Sequence, residues 1–334
     1  MINRFTKRHK STAIIAAVAM TALLISSCGT SSPAEVEGAG EEITYGGQKI
    51  VPDLVFRAKD WGDPYDLKLE QIRFPSGGEA FAALLAGEVN VSNGGSGRLI
   101  TVAAQRPESI SLIAKWQFGG SRYSLLTTPE SPLAQPSDLK GKTVAVDNGS
   151  GAYTLFQVWL EQNNLSIDDV TVIQTKIAAI GAALQSGSAD VGIAWEPTAS
   201  ILVEKKLAER FTTLEDAGQS PNFLIVDKAW ASNHREALVD FLRAAIDVGN
   251  LIKEDPAKAG EMASEVNRAE GVEASAIALA DALRHINLDP EIDDASLDEL
   301  ARLAEELVDL KKIDAVPDFA ALVDNTFLQE ALGE

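Results

Sequence analysis

Between Ile43 and Asn222 the chain alternates short β-rich runs with helical stretches, and no other feature limits its fold as tightly. The runs at 110–114 (ISLIA), 123–127 (YSLLT), 143–146 (TVAV), 170–173 (VTVI) and 191–194 (VGIA) are short and mostly apolar. Between two of them, residues 152–163 put Tyr153, Phe156, Trp159 and Leu160 on one stripe of a helix. Strands separated by helices are joined by crossovers, which lay helices on mostly parallel sheets. The expected class is therefore α/β. From His234 the texture becomes helical, with helices expected over 234–254, from Pro256, and over 273–286, 296–310 and 317–332. Ser296-Leu297-Asp298-Glu299 has the form of a capping box, and Pro317 suits a first helical position. Such a tail needs a surface to cover. The expected one is the sheet of the first half, with the chain crossing between two lobes twice.

Two segments 100 residues apart repeat each other. Ala82-Ala83-Leu84-Leu85-Ala86-Gly87-Glu88-Val89-Asn90-Val91 matches Ala182-Ala183-Leu184-Gln185-Ser186-Gly187-Ser188-Ala189-Asp190-Val191 at five of ten positions, with Asn90 facing Asp190. Each reads as a helix end, a glycine cap and the start of a strand. Two similar α/β lobes are expected.

The N-terminus reads as an address. Arg4, Lys7, Arg8 and Lys10 precede 14 mostly apolar residues, Thr12 to Ile25. That is a secretory signal pattern; a membrane-spanning helix needs roughly 20 residues. Ile25-Ser26-Ser27-Cys28 then has the form of a bacterial lipobox, with the chain's single cysteine as the lipid acceptor. Residues 1–27 are the expected signal and 28–42 a flexible tether, rich in small and polar residues. Loss of residues 1–27 removes four bases and no acid, which moves the net charge from −20 to −24. An acidic chain of this kind is a poor partner for nucleic acid, which needs clustered Lys and Arg. One cysteine excludes a disulfide framework, and His234 and His285, the histidines left after the signal, make no metal-ligand cluster. No metal or other cofactor is expected.

Ligands of open α/β lobes sit beyond the carboxyl ends of the strands, and that rule selects a few loops. In the first lobe they are Gly46-Gly47-Gln48, Ser92-Asn93-Gly94-Gly95-Ser96-Gly97 and Gly119-Gly120-Ser121-Arg122. In the second they are Asp147-Asn148-Gly149-Ser150-Gly151, which opens a helix, and Trp195-Glu196, with Asn222 at the return crossing. A helix N-terminus offers free N–H groups and partial positive charge to an anionic head. The candidate ligand residues are Gln48, Ser92, Asn93, Gly94, Ser121, Arg122, Asn148, Ser150, Gly151, Trp195, Glu196 and Asn222. Some have two open readings. Trp195 either covers a ligand or packs a core. Glu196 either orients an amine or pairs with a nearby base. Arg122 either forks onto an anion or starts a strand in solvent. Trp116 reads as packing, and the acidic pairs Asp293-Asp294 and Glu305-Glu306 as solvated faces. Gly149-Ser150-Gly151 lacks the third glycine of a dinucleotide fingerprint, since Thr154 stands in its place.

The run from Ser137-Asp138-Leu139-Lys140-Gly141-Lys142, through Gly149-Ser150-Gly151 and Asn164-Leu165-Ser166-Ile167-Asp168-Asp169-Val170, to Trp195-Glu196-Pro197 resembles the nitrate/sulfonate/taurine class of ABC-importer solute-binding proteins. Phe74-Pro75-Ser76-Gly77-Gly78 and Asn93-Gly94-Gly95 are similar to the first-lobe ligand loops of that class. The resemblance implies a type II periplasmic binding protein fold: two lobes, two crossover strands and hinge closure on ligand. With crossings near 125–128 and 223–226, lobe 1 would be 43–126 and 225–334, and lobe 2 would be 127–224. It also implies a monomeric, lipid-anchored, extracytoplasmic receptor that hands a small solute to an ABC permease and its ATPase. A sulfonate or carboxylate is the leading ligand. Two alternatives remain. One is a ligand sensor for a membrane signalling partner. The other is an enzyme on the same fold, which the lack of a spare cysteine disfavours.

Overall fold

The computed structural model describes residues 41–309 and 311–333. The expected signal, Cys28 and nearly all of the tether lie outside the described residues. Strands β1 (Glu42–Gly47), β2 (Lys68–Arg73), β3 (Val91–Gly95), β4 (Ile110–Gln117) and β10 (Asn222–Asp227) form one sheet, in the order β2-β1-β3-β10-β4. Strands β5 (Tyr123–Thr127), β6 (Thr143–Val146), β7 (Thr171–Gln174), β8 (Val191–Trp195) and β9 (Glu209–Thr213) form the other, in the order β7-β6-β8-β5-β9. The two orders are the same. In each sheet the fourth strand runs antiparallel to its neighbours, and it is the strand delivered from the other sheet.

The passage out of the first sheet spans 118–122, earlier than the expected crossing at 125–128. Tyr123–Thr127 is already paired on both sides, with β8 and β9. The return spans 214–221, because β10 pairs from Asn222 onward.

The repeat has a physical purpose in both copies. Helix α2 (Gly77–Ala86) stops at Gly87, φ 74°, and helix α5 (Ile180–Gln185) stops before Gly187, φ 71°. Glycine enters this left-handed region without the Cβ clash of other residues. Four residues beyond each glycine a strand begins, gripped by the residue before it. Asn90 exchanges two bonds with Thr44 of β1: its Oδ1 accepts from the Thr44 N–H (2.8 Å), and its own N–H donates to the Thr44 carbonyl (2.8 Å). Asp190 does the same with Thr143 of β6, at 2.8 and 2.9 Å.

The remaining helices are α1 (Val51–Arg57), α3 (Ser96–Gln105), α4 (Gly151–Gln162), α6 (Thr198–Glu204), α7 (Lys228–Ala231), α8 (Arg235–Glu254), α9 (Pro256–Ala269), α10 (Ala276–Arg284), α11 (Asp294–Asp309) and α12 (Thr326–Leu332). The first sheet is buried on both faces, so β10 alternates between two cores. Leu224 and Val226 join the core under α1, α8, α9, α10 and α12, while Phe223 and Ile225 join the core under α2, α3 and α11. The second sheet packs α4 on one face and α5 with α6 on the other.

Two helix starts differ from expectation. Helix α11 is capped by Asp293, whose Oδ1 accepts from the Ser296 N–H (2.9 Å), so Ser296 lies inside the first turn. Asp293 is also no free surface charge: its Oδ2 accepts from Lys115 Nζ (2.8 Å), a lysine only 2% exposed. Helix α12 begins at Thr326 and not near Pro317, because Val323 bridges to Leu112 and the Asp324 N–H donates to the Leu112 carbonyl (2.9 Å). The chain there is committed to the edge of the first sheet before it can become helical.

Candidate binding site at the crossing segments

The two crossings lie against each other. Gly119, φ 107°, donates its N–H to the Gln219 carbonyl (2.7 Å), and a Cβ on Gly120 would collide with the Leu214 carbonyl oxygen. Phe118 exchanges two backbone bonds with Asn287, at 3.0 and 3.1 Å, which ties the outbound crossing to the helical tail. Of the two readings of Arg122, the solvent-exposed strand start is not found. Arg122 is 4% exposed and makes no ion pair among the described residues. Its Nη2 donates to the Ser220 carbonyl, to Asn222 Oδ1 (3.2 Å) and weakly to Ser220 Oγ (3.4 Å). Its guanidinium lies 4.6 Å from the Tyr123 ring centroid, and its buried Nε has no partner. Burial pushes its pKa down, yet a guanidinium remains charged in proteins.

Two helix N-termini reach this arginine's partners from opposite sheets. Helix α3 starts after Gly95, which has no side chain to cap it, and Gly95 lies against Asn222 Oδ1. Helix α4 starts after Ser150, whose hydroxyl donates backward to the Asp147 carbonyl (2.7 Å) and leaves the helix end uncapped. A Cβ on Gly151 would clash with Ser220 Oγ and stand 3.1 Å from Tyr123 Oη. Tyr123 Oη and Ser220 Oγ are hydrogen-bonded at 2.9 Å. Arg122, Ser150, Gly151 and Asn222 are thus neighbours, as two unpartnered dipole ends and one buried cation.

The first-lobe residues have a different role from the expected one. Ser92, Asn93 and Gly94 are strand residues, since β3 pairs with β10 as far as Gly95↔Asn222. Ser92 Oγ donates to the Asn93 carbonyl (3.3 Å), and Gly94 is wedged between Phe81 and Ile225. Asn93 is saturated: its Nδ2 donates to Asp53 Oδ2 (2.8 Å) and to Tyr45 Oη, and its Oδ1 accepts from Gln48 Nε2. The hub is Asp53, fully buried without a cation. It accepts from Tyr45 Oη (2.9 Å), Trp116 Nε1 (2.6 Å), Asn93 Nδ2 and the Gln48 N–H. Burial pushes its pKa up to about 6, and the four donors pull against that. Sequence reasoning missed Asp53. The available signal was one acid inside the otherwise apolar run Val51-Pro52-Asp53-Leu54-Val55-Phe56. Trp116 packs as expected but also donates to this carboxylate.

In the second lobe Trp195 ends β8 opposite Tyr123, half-buried against that sheet's core. Glu196, 3% exposed, takes the second of its two readings. Oε1 accepts from Arg210 Nη2 (2.7 Å) and Oε2 from the Ser200 N–H (3.0 Å), so neither oxygen is free. Burial raises its pKa and Arg210 opposes the rise. Asn148 is exposed, with its N–H donated to Gln174 Oε1 (2.7 Å). Ser121 Oγ donates to the His285 carbonyl (2.9 Å). Arg210, Ser220, Tyr123 and Glu299, all missed in the sequence, carry much of this region's bonding.

The chain is 27% identical over 321 residues to a putative aliphatic sulfonates-binding protein of Bacillus subtilis (strain 168), covering 93% of this chain and 94% of the relative. It is 28% identical over 223 residues to the taurine-binding periplasmic protein of Escherichia coli (strain K12), covering 64% and 67%. The crystal structure of the periplasmic aliphatic sulphonate binding protein SsuA from Escherichia coli superposes with a TM-score of 0.73 at 18% identity, over 85% of this chain and 92% of that one. At that identity the superposition speaks for the fold alone, which is the two-sheet periplasmic binding protein fold with a helical C-terminal region. Residues 49–259, well over half of the chain, match the family model described as "NMT1/THI5 like", and the chain belongs to that family.

Proposed function

We propose that this protein is the extracytoplasmic solute-binding receptor of an ABC importer, and that it closes two lobes on a small organic anion with a sulfonate head. The single observation that carries the ligand class is Arg122: buried, without a carboxylate, its Nε unpartnered, beside the uncapped starts of α3 and α4. A buried cation without a counterion is costly, and an arriving anion removes that cost. Helix starts on opposite sheets let one anion engage both lobes. The sulfonate- and taurine-binding relatives support the head group, and a carboxylate is the runner-up.

In this reading the lobes are the two sheets with their helices, hinged at 118–122 and 214–221, and the Trp195 ring covers the ligand's apolar body. The protein works as a monomer, tethered by lipid on Cys28 after loss of the signal, and it passes solute to a permease and ATPase. Among the described residues no helix is long and apolar enough to cross a membrane. The described residues also hold no cysteine to serve as a nucleophile, which favours a receptor over an enzyme.

Calorimetric titration with taurine, ethanesulfonate and benzoate tests the ligand class. We expect ethanesulfonate or taurine to bind, and Arg122→Gln to weaken binding at least tenfold, since a charge-assisted bond contributes about 1.5–3 kcal/mol. Equal affinity in wild type and Arg122→Gln would contradict the site.

A further inference from the structure

Helix α11 lies outside both crossings, yet one of its side chains holds the return crossing in place. Glu299 is 9% exposed, and its two carboxylate oxygens accept from successive backbone N–H groups: Oε2 from Gln219 (2.6 Å) and Oε1 from Ser220 (2.7 Å). The segment is shaped around that carboxylate. Gly218 has φ 146°, and a Cβ there would meet Leu155 at 2.9 Å and both Glu299 oxygens at 3.3 Å. Ser220, which is not glycine, sits at φ 42° in the left-handed region, a conformation that persists only when its surroundings hold it. Two consecutive N–H groups on one carboxylate do so here.

The far side of the same peptide segment faces Arg122. The Ser220 carbonyl accepts from Arg122 Nη2, its hydroxyl meets Tyr123 Oη (2.9 Å), and Asn222 two residues on accepts from the same Nη2 (3.2 Å). Glu299 therefore holds the backbone of the residue whose carbonyl and hydroxyl receive the guanidinium, and its two bonds fix where those acceptors point. Glu299 makes no direct ion pair with Arg122. A direct pair would occupy the fork and repel an incoming anion, whereas a carboxylate held by two backbone N–H groups leaves the Arg122 Nε unpartnered.

We infer that Glu299 is a positioning residue of the ligand site, fixing Arg122 for an anion through the Gln219–Ser220 backbone. This rests on the reading of the crossings as a sulfonate site.

The test has a ligand-free arm and a ligand arm. The buried Arg122 Nε–H gives a nitrogen–proton resonance, assigned by its loss in Arg122→Gln. In Glu299→Gln, where an amide N–H₂ meets one of the two backbone N–H donors, this resonance should shift, and exchange of the Gln219 and Ser220 amides should accelerate at least tenfold. Ethanesulfonate affinity should fall about tenfold in Glu299→Gln, with no further loss when the change is added to Arg122→Gln. An unmoved Nε–H resonance with unchanged amide exchange overturns the inference. So does undiminished ethanesulfonate affinity in Glu299→Gln, or an equal loss in the Arg122→Gln background, which would mark a merely structural role. Should Glu299→Gln not fold, Glu299→Asp, which keeps the charge but retracts it by one methylene, is read the same way. If the wild-type protein binds no sulfonate, the site reading fails and this inference with it. The resonance, read without ligand, would still show whether Glu299 and Arg122 are coupled.

Discussion

Asp53 sits in an environment far from that of its free side chain. It titrates near 6 when folded, against an ordinary 3.8, because burial disfavours its charge. Its contribution therefore favours folding below pH 3.8 and is lost as the pH rises through about 6; by neutral pH the difference is about 3 kcal/mol. Denaturant midpoints of wild type and Asp53→Asn, compared from pH 4 to pH 7, should diverge in that window, with wild type losing ground as pH rises. Parallel curves would contradict this. Trp195→Ala should weaken sulfonate binding at least tenfold, about 1.4 kcal/mol, and unchanged calorimetric affinity would remove Trp195 from the site. The sequence set Ser150 and Gly151 at a helix start and Arg122 and Asn222 at the crossings, and the fold brings these four positions together. The bonding of Asn93 was not foreseen, and the choice between the two readings of Glu196 stayed open, because their partners come from other elements. Asp53 and Tyr45 claim Asn93, and Arg210 claims Glu196, and a single sequence does not say which distant polar groups a fold will pair.

Among the elements, the duplicated helix–glycine–strand unit was legible because it rests on local chemistry. A glycine stops the helix, and an amide or carboxylate three residues on grips the neighbouring strand. Gly87 and Gly187 each have φ near 70° and open space where a Cβ would go. The cost of Gly87→Ala or Gly187→Ala is then purely conformational, about 1–2 kcal/mol each, and it should appear as a lower denaturant midpoint with unchanged slope. A neutral effect would mean that the caps do not carry the turn. Helix starts at Ser296 and Pro317 were misplaced for the opposite reason. Asp293 and the Leu112 edge compete for the same backbone groups, and only the packed chain shows which wins.

For the whole molecule, alternation of strand and helix pointed to the α/β class, and the repeat of 82–91 at 182–191 pointed to two similar lobes. Neither showed that each sheet admits one antiparallel strand from the other, because β5 and β10 read as apolar runs like the rest. That exchange places both crossings beside one another, with α6 leaning on the tail through Ser200 Oγ and Asp281 Oδ2 (2.9 Å) and Arg210 Nη1 beside His285 Nε2 (2.7 Å). Two bodies joined through such crossings are suited to close on a ligand that touches both. Small-angle X-ray scattering with and without saturating ethanesulfonate tests this most directly. A smaller radius of gyration is expected in the bound protein, and no such contraction in Arg122→Gln at the same sulfonate concentration. A wild-type protein that calorimetry shows to be saturated, yet whose radius of gyration is unchanged, would contradict it.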